Sequence, residues 1–419
     1  MNLYGMIILF MLFFEYILNF FADFLNLKNL ETALPEEMVG TYDPEDYRKS
    51  QEYTRVTTGF GRIVASFMLI LTLAFWFLSG FEIVDQWLRS WDLSRLLTGV
   101  LYIGVLSVFQ SLLMLPFSLY RTFVIEERFG FNKTTLKLFF IDKIKGALLA
   151  IMIGLPVLAL LLAFLEWGGV YAWVYAWAAL SSLILLIQAV APIWIMPLFN
   201  KFEPLTSGEL KDAIMAFARS VQFPLQNVFV MDGSKRSSKS NAFFTGFGKN
   251  KRIALFDTLI DAQSTPELIA VLAHEIGHYK KKHITQGMVI AILQVGLMFY
   301  LLSIFLSHPG LYAAFFVTEP SVYAGLLFFG MLYRPIEFVL SLFMNRLSRK
   351  NEYEADHFAA ESIASPENLV KSLKKLSVNN LSNLTPHPLY AFLNYSHPPL
   401  LDRIRAIRLV SGVLRERKI

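Results

Sequence analysis

The chain has 419 residues, of which 55% are apolar and only 17% are charged, and its mean hydropathy is +0.48. This composition excludes an ordinary soluble protein and is typical of a chain that lies largely within a membrane. Cysteine is absent, which excludes disulfide bonds, thiolate metal sites and a cysteine nucleophile. The net charge of +5 is accompanied by no nucleic-acid-binding motif, and basic loops lying against anionic lipid account for it.

Seven apolar stretches are long enough to cross a bilayer as helices. The first has no small-residue cleavage site, so we expect it to remain as a span. The fourth and fifth are separated only by Trp167–Val170. The predicted spans are 3–26, 62–84, 98–120, 146–166, 172–197, 284–306 and 322–345.

Lys and Arg are distributed unevenly among the loops that connect these spans. The first, third and fifth loops and the tail after residue 346 are rich in both, whereas the fourth and sixth loops contain neither. The second loop, with Arg89 and Arg95, is the one exception. Because positively charged loops stay in the cytoplasm, we expect the odd-numbered loops and the tail to be cytoplasmic and the amino terminus to lie on the opposite side.

The fifth loop contains two short stretches rich in Val, Ile and Phe, Asn227–Val230 and Arg252–Phe256, which are predicted to form strands,. Between them, Asn241, Ala242 and Phe243 lie in a segment that is predicted to be an exposed edge. An extended peptide could add to such an edge through main-chain hydrogen bonds, with Asn241 clamping its backbone. A buried hairpin with Asn241 in its turn is an equally good interpretation of the local pattern.

A helix is predicted over Glu267–Lys282. Ser264 or Thr265 can cap its first turn, and Pro266 suits an early helical position,. Four apolar residues then give it a buried stripe, and three consecutive lysines complement its carboxyl end,.

Inside this helix, His274 and His278 are four residues apart and therefore lie on one face,. That spacing lets both imidazoles bind one metal ion, and Glu275 can act as general base on the attacking water. The alternative is a helix with two histidines and no metal. A zinc site that keeps one position for water needs a third protein ligand.

The third ligand is predicted from a second acidic helix. Glu352 and Asp356 are also four residues apart on one face, so that Glu352 can bind the metal while Asp356 accepts a hydrogen bond from a ligand imidazole. Glu354 has the same chemistry but points to the opposite side. For an arbitrary pair of acidic residues, a solvated surface face would be the better interpretation.

The tail supplies a final pair of candidates. His397 could donate a hydrogen bond to the oxyanion that forms when water attacks an amide, and Arg403 could brace Glu352 or Asp356,. A solvent-exposed histidine before the two prolines that follow it is the more ordinary interpretation of His397 taken alone.

The chain resembles the type I CAAX prenyl protease family of seven-span zinc endopeptidases, and the resemblance extends over most of its length. The segments that carry it are 122–127, 130–133, 237–243, 255–259, 274–278, 351–356, 387–390 and 396–398.

The resemblance implies one zinc ion bound by His274, His278 and Glu352, with Glu275 as base. Asp356 would orient a ligand, while Asn241, His397 and Arg403 would serve the substrate and the transition state. The implied substrates are prenylated CAAX-type or other membrane-associated protein carboxyl termini.

It also implies that the seven spans form a hollow barrel around a water-filled chamber. Six polar residues within the spans fit this expectation, since facing lipid would be costly; alternatively they pair helices together. They are Glu15, Gln110, Gln188, Gln294, Arg334 and Glu337.

The expected architecture is thus a mostly α-helical integral membrane protein with a small cytoplasmic zinc metalloprotease domain that contains a short β-hairpin or small sheet. Its parts are spans one to five (1–197), the metalloprotease segment (198–283), spans six and seven (284–345) and the cytoplasmic tail (346–419).

Two other functions fit part of the pattern. One is a quality-control membrane endopeptidase that is indifferent to lipid. The other is a chamber-forming binder or transporter with a structural zinc, which the complete set of base and ligands argues against, because a structural zinc is normally closed by a fourth protein ligand.

Overall fold

The computed structural model describes residues 1–31, 33–245 and 251–416. Most of these residues are helical, and one small sheet lies between the fifth and sixth long helical segments. The α-helices are α1 (Leu3–Lys28), α2 (Pro44–Phe77), α3 (Gly80–Arg89), α4 (Arg95–Tyr120), α5 (Leu136–Leu149), α6 (Leu155–Trp167), α7 (Ala172–Val190), α8 (Glu209–Ser220), α9 (Asp257–Ala262), α10 (Thr265–Lys280), α11 (His283–Phe305), α12 (Pro309–Ala313), α13 (Val322–Leu332), α14 (Arg334–Ser362), α15 (Glu367–Asn379), α16 (Pro388–Asn394) and α17 (Leu400–Glu416). The strands are β1 (Phe202–Pro204), β2 (Leu225–Met231), β3 (Ala242–Thr245) and β4 (Lys251–Phe256).

Among the residues that the structure describes, six helical segments are long and apolar enough to cross a membrane, and there are seven if the bent pair α13 and α14 is counted as one span. Each predicted apolar stretch overlaps one of these segments, which confirms a multi-pass membrane protein. The six segments are Leu3–Lys28, Pro44–Phe77, Arg95–Glu126, Leu136–Trp167, Gly169–Leu198 and His283–Phe305.

The second span ends earlier than predicted. Residues 62–84 were expected to form one helix, but α2 ends at Phe77 and α3 begins at Gly80. Between them, Ser79 has a left-handed backbone (φ 57°), which ends an α-helix,. A Cβ on Gly80 would lie 2.5 Å from the Phe75 ring, so a larger residue at this position would displace that ring.

The seventh span, predicted as continuous over 322–345, is bent by 51° between α13 and α14. Pro335 lies in the first turn of α14. Since proline has no N–H to donate to the preceding turn, the helix breaks there. Beyond the bend, α14 continues without interruption to Ser362 and carries both Glu352 and Asp356 out of the membrane-spanning region.

The second loop is the one exception to the charge pattern, and the charge of its Arg89 is compensated by acidic partners. Arg89 lies 2.8 Å from Asp85 and 2.8 Å from Glu319, which precedes α13. Its charge is therefore neutralised locally.

Polar residues meet in a cavity between the spans. It has a volume of about 440 Å³ and is lined by parts of α1, α2, α4 and the start of α14. Three of the six residues predicted to face a chamber line it, namely Glu15, Gln110 and Arg334. Arg334 donates two hydrogen bonds to Glu15, of 2.6 and 3.1 Å. These side chains thus face this cavity, and the Arg334–Glu15 pair also links two helices.

The strands form one sheet in the order β1-β2-β4-β3. Strands β2 and β4 are parallel, and the other two pairs are antiparallel. The two predicted strands fall within β2 and β4, which confirms a small sheet in this segment. The strand β3 lies at one edge, as predicted for the segment around Asn241.

The sheet and the helices around it share one apolar core. Each fully buried Leu, Ile or Val side chain contributes about 1.5–3 kcal/mol to folding. The first, third and fifth loops and the tail also pack together at this end of the molecule. Buried members from different elements include Tyr47, Ile214, Val228, Ile253, Leu272, Val370 and Ile404.

Candidate metal and active site

The helix α10 begins as its sequence predicts. Ser264 caps it, Ser264 and Glu267 form a capping box, and Pro266 lies in the first turn. The Ser264 N–H donates to Glu267 at 2.7 Å, and Lys375 donates to the same carboxylate at 2.7 Å. The start of the histidine-bearing helix is therefore fixed both locally and by α15.

The three predicted ligands meet at one point. The Nε2 atoms of His274 and His278 are 3.1 Å apart. The Glu352 carboxylate lies 3.4 Å from His274 Nε2 and 3.3 Å from His278 Nε2. Ligands at about 2.0–2.1 Å from a tetrahedral zinc are separated by about 3.3 Å, so these spacings suit one small metal ion.

Gly277, which lies between His274 and His278, lets α10 and α14 come this close. A Cβ on Gly277 would lie 3.0 Å from the backbone of Ala355 in α14. Because nothing larger than hydrogen fits at this contact without displacing backbone, Gly277 sets the distance between the histidines and Glu352.

The donor set fits a metal with an open position. The Oε2 atom of Glu352 is buried and accepts no hydrogen bond from the residues that the structure describes, although Arg403 lies 3.3 Å from it as an ion-pair partner. A buried carboxylate oxygen without a hydrogen bond is suited to bind a metal ion. Two imidazoles and one carboxylate supply three ligands, as catalytic zinc sites do, and leave one position for water or substrate.

Asp356 and Arg403 hold the ligand side chains His274 and Glu352 in position. His274 Nδ1 lies 2.9 Å from Asp356, and Arg403 donates two hydrogen bonds of 2.8 and 2.7 Å to the same carboxylate. Arg403 also lies 3.3 Å from Glu352. Its guanidinium is buried, so the geometry supports the bracing role and leaves contact with substrate as a prediction.

His397 lies on the open side of the site. Its Nε2 is 3.4 Å from Glu352, and its side chain is 65% exposed. It is therefore within reach of the ligands while remaining accessible, as an oxyanion donor must be.

The segment around Asn241 lies beside the same helix. Asn241 is exposed, its Oδ1 accepts from the Ala242 N–H at 2.8 Å, and its carbonyl accepts from the Phe256 N–H at 3.1 Å. Strand β3 contacts α10 and pairs only with β4 among the strands of the described sheet. The structure has the edge that was predicted, whereas the alternative of a buried hairpin with Asn241 in its turn is wrong, because Asn241 is exposed and precedes β3 and the two predicted strands pair in parallel. The side chain of Phe243 lies outside the described residues.

Two interactions near the site were not predicted. Glu354 does not approach the ligands but accepts a hydrogen bond from His283, which contacts His278. Lys239, just before Asn241, donates to Tyr53 at 2.8 Å and to Glu126 at 3.1 Å and lies 4.2 Å from the Phe131 ring centre. The one sequence signal for the first interaction was that His283 lies between the predicted end of the His274–His278 helix at Lys282 and the predicted start of span six at residue 284.

The electrostatics of Glu275 predict the pH dependence of catalysis. Burial raises the pKa of its carboxyl above the ordinary value,. As the pH falls through this raised pKa, Glu275 is protonated and can no longer accept a proton, as its predicted role of general base requires. The acid limb of kcat/KM should therefore lie above about 4.3, the ordinary glutamic acid pKa.

A pH–rate profile with saturating zinc measures this limb. The His397→Gln variant is the control and should lower the rate without moving the limb. A limb at the ordinary glutamic acid pKa, or one that moves in His397→Gln, would contradict the assignment to a buried Glu275.

The chain matches two family models that together span most of its length. Residues 23–201 match the CAAX prenyl protease N-terminal domain of five membrane helices, and residues 204–410 match peptidase family M48.

Proteins of similar sequence align with nearly the full length of this chain. A CAAX prenyl protease 1 homolog of Arabidopsis thaliana is 37% identical over 94% of this chain and 96% of its own length. CAAX prenyl protease 1 of Saccharomyces cerevisiae is 37% identical, with 91% and 90% covered. The crystal structure of S. mikatae Ste24p superposes with a TM-score of 0.92 at 35% identity, covering 97% of this chain and 99% of that one. The chain therefore belongs to peptidase family M48, among the CAAX prenyl proteases 1, and is a multi-pass membrane metalloendopeptidase.

Proposed function

We propose that this protein is a zinc-dependent endopeptidase that cleaves the carboxyl-terminal CAAX segment of prenylated proteins at the membrane surface. The observation that carries the proposal is the convergence of His274, His278 and Glu352 on one point, with Glu275 next to the first ligand in the same helix. The names of the similar proteins supply the substrate class.

The residues divide the chemistry among them. The two histidines and Glu352 would hold a zinc ion, which would supply a Lewis acid and lower the pKa of the attacking water. Glu275 takes the proton from that water and later delivers it to the leaving amine. His397 donates a hydrogen bond to the developing oxyanion.

The supporting residues fix the geometry of this set. Asp356 accepts the Nδ1 proton of His274, so that Nε2 keeps its lone pair for the metal. Arg403 compensates the buried carboxylates. The edge strand β3 binds the substrate main chain as an added strand, with Asn241 at its start.

We further propose that this site faces the cytoplasm and that the amino terminus lies on the other side of the membrane. The basic first, third and fifth loops and the tail pack together around the site. Since positively charged loops stay cytoplasmic, this common location of the basic segments supports the orientation.

The function is tested with one CAAX peptide, prepared with and without its farnesyl group, and the purified full chain. We expect faster cleavage of the farnesylated peptide, loss of cleavage after chelation and recovery on adding zinc. Product masses identify the bond that is cut.

The other outcomes separate the alternatives. Equal cleavage of both peptides would contradict prenyl specificity and indicate a broad membrane endopeptidase. No cleavage of either peptide by zinc-loaded protein would overturn the proposal.

A further inference from the structure

We propose that His283 and Glu354 are positioning residues that hold the metal ligand His278 in its binding orientation. This inference rests on the proposed ligand set of His274, His278 and Glu352. It gives His278 a supporting pair of its own, separate from the one that serves His274.

The contacts form a continuous chain. His278 Nδ1 lies 3.1 Å from His283 Nδ1, and His283 Nε2 lies 3.1 Å from the Glu354 carboxylate. The two imidazole planes are inclined by 73°, with ring centres 5.1 Å apart. His283 is 7% exposed, so its imidazole is shielded from water, whereas the Glu354 side chain is 39% exposed and remains partly solvated.

Only one placement of protons satisfies this chain when Nε2 of His278 is the ligand atom. Nδ1 of His278 must then carry the hydrogen and donate it to Nδ1 of His283. The His283 hydrogen is thereby left on Nε2, where it donates to Glu354, an obligate acceptor when ionised. The Glu354 carboxylate thus fixes the His283 tautomer, and His283 fixes that of His278.

The other predicted histidine ligand, His274, is held by a hydrogen-bond partner in the same way. His274 also presents Nε2 to the site, and its Nδ1 faces Asp356 at 2.9 Å. Partners of this kind set the orientation and basicity of ligand imidazoles in metal sites. Both imidazole ligands are therefore held from their Nδ1 side.

A local backbone feature brings His283 to this position. On a continuous helix, residues five apart point about 140° away from each other. Here α10 ends at Lys280, and Lys282 has a left-handed backbone (φ 60°) before α11 begins at His283. This sharp break turns the His283 ring back onto His278.

The inference is tested by zinc affinity, measured on the metal-free full chain by competition with a chelating dye. We expect His283→Leu to weaken zinc binding by about 10- to 100-fold, as loss of a ligand's hydrogen-bond partner does in metal sites. His283→Asn can still accept the Nδ1 hydrogen through its amide oxygen and should recover most of the affinity. Glu354→Gln should lie between the two.

The matched control is His357→Leu. His357 also pairs with a glutamate, Glu361 at 3.2 Å, but on an exposed part of α14 where both side chains are about half accessible. This variant should bind zinc as the wild type does.

The outcomes distinguish this inference from the proposed ligand set. Zinc affinity within twofold of wild type in His283→Leu, with weakened binding in His278→Ala, would overturn only the positioning role. Unchanged affinity in His278→Ala as well would overturn the ligand set. Should His283→Leu not fold, zinc affinity of Glu354→Gln equal to that of wild type would also overturn the positioning role.

Discussion

Replacing Glu275 with glutamine is expected to lower kcat by about 10²–10⁴-fold, the usual contribution of a general base, while zinc remains bound. The amide keeps the size and shape of the side chain but cannot accept the proton of the attacking water. The ligands His274, His278 and Glu352 are untouched. Turnover of the farnesylated peptide and metal content by mass spectrometry are the two measurements.

The control for this substitution is Glu361→Gln, a change of the same chemistry at an exposed position of α14. It should leave both turnover and zinc content unchanged. A Glu275→Gln enzyme with nearly normal turnover would show that another group is the base. Loss of zinc from that variant would show that Glu275 helps to hold the metal.

Replacing Arg403 with methionine is expected to reduce both stability and zinc binding. Arg403 is 9% exposed and is paired with the buried Asp356 and Glu352. Removing one partner of a buried ion pair leaves uncompensated charge and costs about 3–5 kcal/mol. The free energy of unfolding, from denaturant titration of the purified chain, should fall by about this amount, and zinc affinity should fall with it.

Arg405→Met on the same helix is the matched control. Arg405 pairs with Glu37 at 3.2 Å and is 61% exposed, so its loss should cost less than about 1 kcal/mol,. Arg403→Lys should be intermediate, because an ammonium cannot make the two parallel hydrogen bonds that a guanidinium makes. Equal stability of Arg403→Met and Arg405→Met would contradict the bracing role.

Much of the site follows from local spacing. His274 and His278 share a helix face because four residues make about one turn, and the same rule pairs Glu352 with Asp356. The spans follow from the length of apolar sequence, and the start of α10 from its capping residues. These features depend on neighbours in the chain, so the sequence alone predicts them.

Other features depend on contacts between distant segments. The bend before Arg334 and the early end of α2 were missed because apolar content continues across both breaks. The parallel pairing of β2 with β4 and the two outer strands require the whole segment to be folded. His283 was missed because its position depends on the left-handed Lys282, which a helical pattern does not reveal.

The sequence by itself determined a seven-span membrane protein with a two-histidine motif, its neighbouring glutamate and an acidic pair on a second helix. Only the tertiary structure decided that Glu352 faces the histidines, through the close contact of Gly277 with Ala355. It also decided that Arg403 braces Asp356 and that Glu354, which was predicted to point away from the site, meets His283 there. The physical reason is that periodicity fixes which residues share a face, whereas packing between helices fixes what that face meets.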